Sequence, residues 1–454
     1  MDAVKSPPLV TDGRGVDTDR RRALDRLAAT FDRLITTDRV RGYSTIFLAL
    51  SLLASTAVSF VRPGDLVPDY LAHWTGGRMI LDGRAGELYD ASAQLHVQVG
   101  ALGPTLGLSW FVSPPFVALL YVPLALLPFT MSLIVWKLLS LALLVIALHL
   151  ARPLAPARLQ QRWHLVVLVV AAAEPTFSAL ANGQQTFLVL LLWVVGTRLL
   201  VARREMAGGA VLALLLVKPQ LVFLVPVVLL VRGQRRALAG FTATALVLVG
   251  ASALVDGGRG LQVWSGLIAS EAYRHGVQVG QAGKMQGIGA LVISVLPPIV
   301  SGPTEIVGFI AAAVVVVVFL VRLRRSRQEG WSVTTVWAAV AATTVVASPH
   351  LLDYDLLLIL PAALVLLGDR AQRRVRLALV ALFLLSWTVP LRSGLATRAE
   401  WPLTLAATAW GAVPVLVIWW QLMARRGDAA PLDDDDPGLR PPAVHAVPIL
   451  TVPR

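Results

Sequence analysis

The chain has 454 residues, 56% hydrophobic and 15% charged, and its apolar residues fall in blocks separated by polar breaks rather than in amphipathic stripes. A soluble domain of this size needs a polar face on nearly every helix, so these blocks exclude the soluble class and make lipid the solvent. The formal charge of +13 sits on basic residues beside the apolar blocks, not in a patch interleaved with aromatics, which argues for topology signals and against nucleic acid. With no cysteine, disulfides, thiolate metal sites and cysteine nucleophiles are excluded. Unpaired backbone amides are costly in hydrocarbon, and the blocks lack the alternation of a barrel strand. The expected fold is therefore an all-α polytopic bundle of about ten to twelve transmembrane helices.

An arm over 1–43 comes first, in which Leu24, Leu27, Phe31, Leu34 and Ile35 recur at helical spacing among Arg and Asp. That pattern fits either an amphipathic helix on the membrane surface or a solvated tail. The first apolar block, 44–61, opens too late for a cleavable signal peptide and reads as an uncleaved span. A polar stretch over 62–112 follows, carrying Asp65, Asp69, Arg78, Asp82 and Asp90. Two apolar runs come next, 114–129 and 131–151, and Arg152, Arg158 and Arg162 then mark a cytoplasmic loop. If the N-terminal arm is cytoplasmic too, only one run crosses; 114–128, with two prolines at its start, is expected to be re-entrant or interfacial.

Further spans are read at 165–181, 185–202, a proline-broken pair at 207–217 and 220–231, then 237–255, 305–321, 331–347, 355–368, 375–390 and 403–423. Basic clusters at Arg203 and Arg204, at Arg232, Arg235 and Arg236, at Arg322 to Arg327, at Arg370 to Arg376, and at Arg425 and Arg426 all fall on the cytoplasmic side under one alternating assignment. The domain reading is thus a cytoplasmic arm over 1–43, a membrane domain over 44–425 with its outer loop at 62–112, and a disordered cytoplasmic tail over 426–454. The tail is Pro-rich and carries Asp433 through Asp436. Both termini are cytoplasmic, and the protein is multi-pass in the cell membrane.

Polar residues at or inside spans are expensive and invite a functional question. Under this assignment they gather on the outer side: the carboxylates Asp65 and Asp69, the imidazole of His350, the amides of Asn182, Gln184 and Gln220, and the Lys218 ammonium. Sugar transfer from an anionic lipid needs such a set. A carboxylate takes the proton of an acceptor hydroxyl, cations or donors stabilise a departing phosphate, and amides suit sugar hydroxyls. For Asp69 the competing readings are a general base, a solvated loop carboxylate and a helix N-cap. His350 reads as a phosphate contact or as a helix-capping interfacial histidine. Lys218 in its apolar context needs a partner or a polar cavity, or bonds free carbonyls beside Pro219. Glu174 and Lys137 also lie in apolar runs, where they pair with each other or snorkel, and carry no assigned chemistry. Over 256–285, Trp264, Tyr273, Arg274, His275 and Lys284 suit headgroups, a saccharide or an interfacial anchor.

No phosphate-binding Gly-rich loop, paired-histidine metal motif or nucleophile elbow is present. The carboxylates are too scattered to argue a cation cage, so no cofactor is expected and a divalent metal stays open.

Several stretches together resemble glycosyltransferase family 87, polytopic enzymes of the GT-C superfamily. They are Asp69-Tyr70 with His73-Trp74, Gly77, Leu81, Gly83, Leu88 and Tyr89; Pro114-Pro115 leading to Pro123-Leu124 and Leu127-Pro128; Asn182-Gly183-Gln184; Lys218-Pro219-Gln220; and Ser348-Pro349-His350 before a tyrosine. The resemblance runs over about 44–425. It implies inverting transfer of a sugar, commonly mannose and in some members arabinofuranose, from a polyprenyl-phosphate donor to a lipid-linked or polymeric glycan outside the membrane. By that match Asp69 is the base, with His350 and Lys218 near the donor phosphate and Gln184 near sugar or donor. Asn182, Gln220, Tyr70, His73 and Arg78 are the expected sugar or acceptor contacts. Ser113 stands where relatives often carry an aromatic, a departure that bears on acceptor preference more than on activity. The competing function classes are a transporter or flippase for a lipid-phosphate or glycolipid, and a non-catalytic membrane scaffold.

Overall fold

The computed structural model describes residues 33, 35–58, 68–104, 107–273, 284–296, 301–368, 373–396, 405 and 409–425. The N-terminal arm up to Asp32, Asp65, Arg274, His275 and the acidic tail lie outside them. Among the described residues the fold is all-α, its only β feature being an isolated antiparallel bridge between Met285 and Leu352.

Among the described residues, three single helices are long and apolar enough to cross a membrane: Phe129–Leu154, Arg235–Val255 and Ile306–Ser326. A fourth crossing comes from Trp163–Ala172 and Glu174–Asn182 taken together, which meet at a 55° bend. The sequence reads 165–181 as one span, and the bend has a local cause. Ala173 is extended (φ −73°, ψ 140°), and Pro175 sits at the start of the second helix, where its missing N–H costs nothing. The remaining apolar elements are shorter or broken, so the expectation of ten to twelve crossings rests on helices that stop or turn partway. Outward-facing apolar side chains on the long helices, such as Leu138, Val145, Leu246, Val247, Leu254, Phe309 and Val317, are exposed as a lipid-facing surface requires.

The run expected to be re-entrant or interfacial forms Pro115–Ala125, whose 11 residues rise only about 16 Å. It packs on Tyr70–Leu81, a helix within the polar stretch 62–112, which also holds Ala91–Leu102. Around the proline break, Glu205–Ala213 gives way to 3-10 turns at Leu214–Val217 and Pro219–Leu221 before Leu224–Val231 resumes. This broken pair leans on Arg235–Asp256, and close approach is possible because both sides are small. A Cβ on Gly209 would come within 1.8 Å of the Ala237 carbonyl oxygen, and one on Gly240 within 2.0 Å of the Met206 oxygen. Near the C-terminal side, Val333–Ala347 is almost wholly buried and feeds a turn at Ser348 to Leu352, a 3-10 helix at Asp353–Ile359 and the helix Leu360–Gly368.

Candidate active site

Chain breaks converge on one cavity of about 830 Å3, within the size of a small-molecule site. Asp69 precedes Tyr70–Leu81 in the N-cap position, yet its side chain caps no helix N–H. Instead its Oδ2 accepts from Gln184 Nε2 at 2.7 Å and from the Tyr354 hydroxyl at 3.5 Å. Gln184 is aimed there by the preceding glycine. Gly183 ends Glu174–Asn182 in the left-handed region (φ +64°), and a Cβ on it would sit 2.7 Å from Tyr70 Cβ. The turn is closed by Gln184 N–H donating to the Ala179 carbonyl and by Trp136 Nε1 donating to the Gly183 carbonyl at 2.7 Å.

Lys218 stands between the two 3-10 turns with φ −131° and ψ 82°, because the proline after it disfavours helical geometry. Its Nζ donates to Asp355 Oδ1 at 2.7 Å and lies 4.6 Å from the centre of the Tyr354 ring. The partner the sequence demanded is therefore Asp355, reinforced by an aromatic face. An ammonium has three N–H donors, so this pairing leaves Lys218 able to donate into the cavity it lines.

His73, Gln220 and His350 line the same cavity. The His73 ring stacks on Tyr121 at 4.9 Å, and burial first, then Lys218, pulls its imidazole down to about 3. Burial also holds His350 below the ordinary imidazole range, with Asp355 and Asp69 acting in the opposite direction. Both rings are neutral near pH 7 and offer hydrogen bonds rather than charge. The Nδ1 atoms of both are buried and meet no partner among the described residues.

Three of the nominated contacts are not among the cavity's lining. Tyr70 is buried, its hydroxyl 2.6 Å from Ser132 Oγ and its ring stacked on Trp136. Arg78 is paired with Asp82 on the surface, and Asn182 donates back to the Ser178 carbonyl of its own helix. Glu174 does not pair with Lys137; the charges around it are Asp353, Arg392 and Lys284. Sequence reasoning assigned no role to Tyr354, Asp355, Gln185 or Trp110, which also line the cavity. Asp355 carried a usable signal, since a carboxylate heading an apolar run needs a cation, and Lys218 needed an anion. Trp264 and Tyr273 reach the cavity from the helices Arg259–Ile268 and Glu271–Tyr273, and Trp264 Nε1 donates to the Val112 carbonyl at 2.9 Å. No group of three or more His, Cys, Asp or Glu side chains is placed to hold a metal among the described residues.

A family model, glycosyltransferase family 87, matches residues 111–349, more than half of the chain. The chain belongs to glycosyltransferase family 87. It is thereby a membrane glycosyltransferase of the GT-C superfamily, and its all-α architecture with long apolar helices is consistent with a GT-C-like bundle. The matched stretch of this family 87 chain contains Gln184, Lys218 and Gln220, while Asp69 lies before it and His350 directly after. Neither a curated protein nor a solved structure matches the chain.

Proposed function

We propose that this family 87 chain moves a hexose, mannose foremost, from a polyprenyl-phosphate donor to a lipid-linked or cell-envelope glycan at the extracytoplasmic face, with inversion and with Asp69 as general base. The observation that carries the reading is the convergence of Asp69, Gln184, Lys218, Gln220 and His350 on one cavity. Asp69 takes the proton of an acceptor hydroxyl as that oxygen forms its bond to the anomeric carbon. The bond from that carbon to the phosphate oxygen breaks on the opposite side, and the polyprenyl phosphate leaves with the electron pair. Lys218 meets the charge that develops on it with a free N–H, and neutral His350 with a hydrogen bond. Gln184 and Gln220 offer both donor and acceptor to sugar hydroxyls.

The topology supports the same reading. With the Arg-rich loops and both termini read as cytoplasmic from the charge pattern, the cavity's turns face outside, where a donor must arrive through the membrane on a lipid. The test is incubation of membranes holding the protein with radiolabelled polyprenyl-phosphate mannose and envelope glycolipid, followed by product analysis. A new glycosidic bond of inverted configuration supports the proposal. Labelled donor moved intact across the bilayer, with no product formed, makes the protein a flippase and overturns it.

A further inference from the structure

The segment after His350 makes three attachments in three consecutive residues. Asp353, Tyr354 and Asp355 open the 3-10 helix Asp353–Ile359, in which successive side chains point about 120° apart because there are three residues per turn. Asp353 Oδ2 accepts from Ser178 Oγ at 2.7 Å, Tyr354 donates to Asp69, and Asp355 accepts from Lys218. The start of this helix is held from behind by Gln286, whose N–H donates to the Leu351 carbonyl at 2.9 Å. Tyr354 therefore has little freedom: its backbone is fixed on both sides and its ring is buried against the Lys218 ammonium.

The two donors that reach the Asp69 carboxylate, Gln184 Nε2 and the Tyr354 hydroxyl, both go to Oδ2, and none reaches Oδ1 among the described residues. A carboxylate held by one oxygen keeps its plane and direction while the other stays open as a proton acceptor. We propose that Tyr354 is a positioning residue which, with Gln184, holds Oδ2 of Asp69 and leaves Oδ1 as the oxygen that takes the acceptor proton. This inference rests on the base role given to Asp69 above. The 3.5 Å contact is long for a hydrogen bond, and catalytic hydrogen bonds commonly tighten once substrate closes the site. Among the described residues lining the cavity with Asp69, the titratable or charged groups are His73 from its own helix, Lys218 from the proline break, Tyr273, and His350, Tyr354 and Asp355 from the turn and 3-10 helix.

Tyr354→Phe isolates the hydroxyl, since it leaves the ring over Lys218 and the Lys218 to Asp355 pair in place. Full-length protein in nanodiscs is assayed at one pH with polyprenyl-phosphate mannose and glycolipid, beside Asp69→Asn and Tyr354→Leu. In Tyr354→Phe the Asp69 carboxylate loses one of the two donors that hold its Oδ2 and is free to swing. kcat falls about tenfold through lost orientation, donor KM stays unchanged and thermal stability stays near that of the parent. Tyr354→Leu, which also removes the ring, raises donor KM as well. A kcat equal to the parent's in Tyr354→Phe, while Asp69→Asn is inactive, overturns the inference alone. Full activity in Asp69→Asn overturns both the inference and the base role beneath it.

Discussion

Replacing Asp355 with asparagine keeps the size of the side chain and one acceptor oxygen but removes the charge that faces Lys218 at 2.7 Å. The pair is well buried, with side-chain exposures of 9% for Lys218 and 2% for Asp355, so the ammonium left behind cannot simply turn into bulk water. Breaking a buried pair on one side costs about 3–5 kcal/mol; the Tyr354 ring and water in the adjoining cavity offset part of that, and the expected loss is near the lower figure. Removing both charges together, as Lys218→Met with Asp355→Asn, leaves no orphaned ion and restores most of the stability. Thermal unfolding of the parent, the two single variants and the double variant in one detergent gives the coupling, and glycosyl transfer by the same four proteins separates fold from function. The double variant is expected to melt close to the parent yet to transfer no sugar, because the phosphate contact proposed for Lys218 has gone. Additive effects of the two single changes on melting would refute the coupling, and transfer by the double variant would refute the role of Lys218.

Gly183→Ala puts a Cβ into a left-handed residue and against Tyr70 Cβ at 2.7 Å, so it should cost about 1–2 kcal/mol from the backbone alone and draw Gln184 away from Asp69; a lowered melting point together with reduced turnover checks this. The pH response follows from imidazoles held neutral. His73, down to about 3, withholds a proton that the unfolded chain accepts near pH 6.5, so its share of stability is full above 6.5 and is lost as pH falls toward 3. Melting measured from pH 7.5 to 5 should decline and His73→Gln should flatten the decline, whereas donor KM should stay level from pH 8 to 7, because His350, held below the ordinary imidazole range, stays neutral there.

Much of the site was legible because single residues stood out against apolar surroundings. Lys218 beside Pro219, the Asn182-Gly183-Gln184 turn and His350 after Pro349 each interrupt a hydrophobic run, and an interruption in lipid demands a partner or a cavity. What stayed hidden depends on direction. Asp355 and Tyr354 were legible as residue types, but only a 3-10 helix sends one toward Lys218 and the other toward Asp69. Asn182, one position from a cavity residue, satisfies its amide within its own helix, and Arg78 finds Asp82 one turn on, neither of which leaves a mark on the hydrophobic pattern. The fold was legible as helical and membrane-bound. The bend at Ala173 was not, since the apolar composition runs through it unchanged and Pro175 alone does not say whether a helix starts there or kinks.

Single-turnover transfer by Asp69→Asn, with donor pre-bound and donor affinity measured on the same sample, tests the central claim most directly. The amide keeps the shape of the carboxylate but cannot accept the acceptor proton. The predicted result is donor affinity close to that of the parent and a transfer step slowed by about 10²–10⁴-fold, the usual worth of a general base. Transfer at the parental rate would contradict the account.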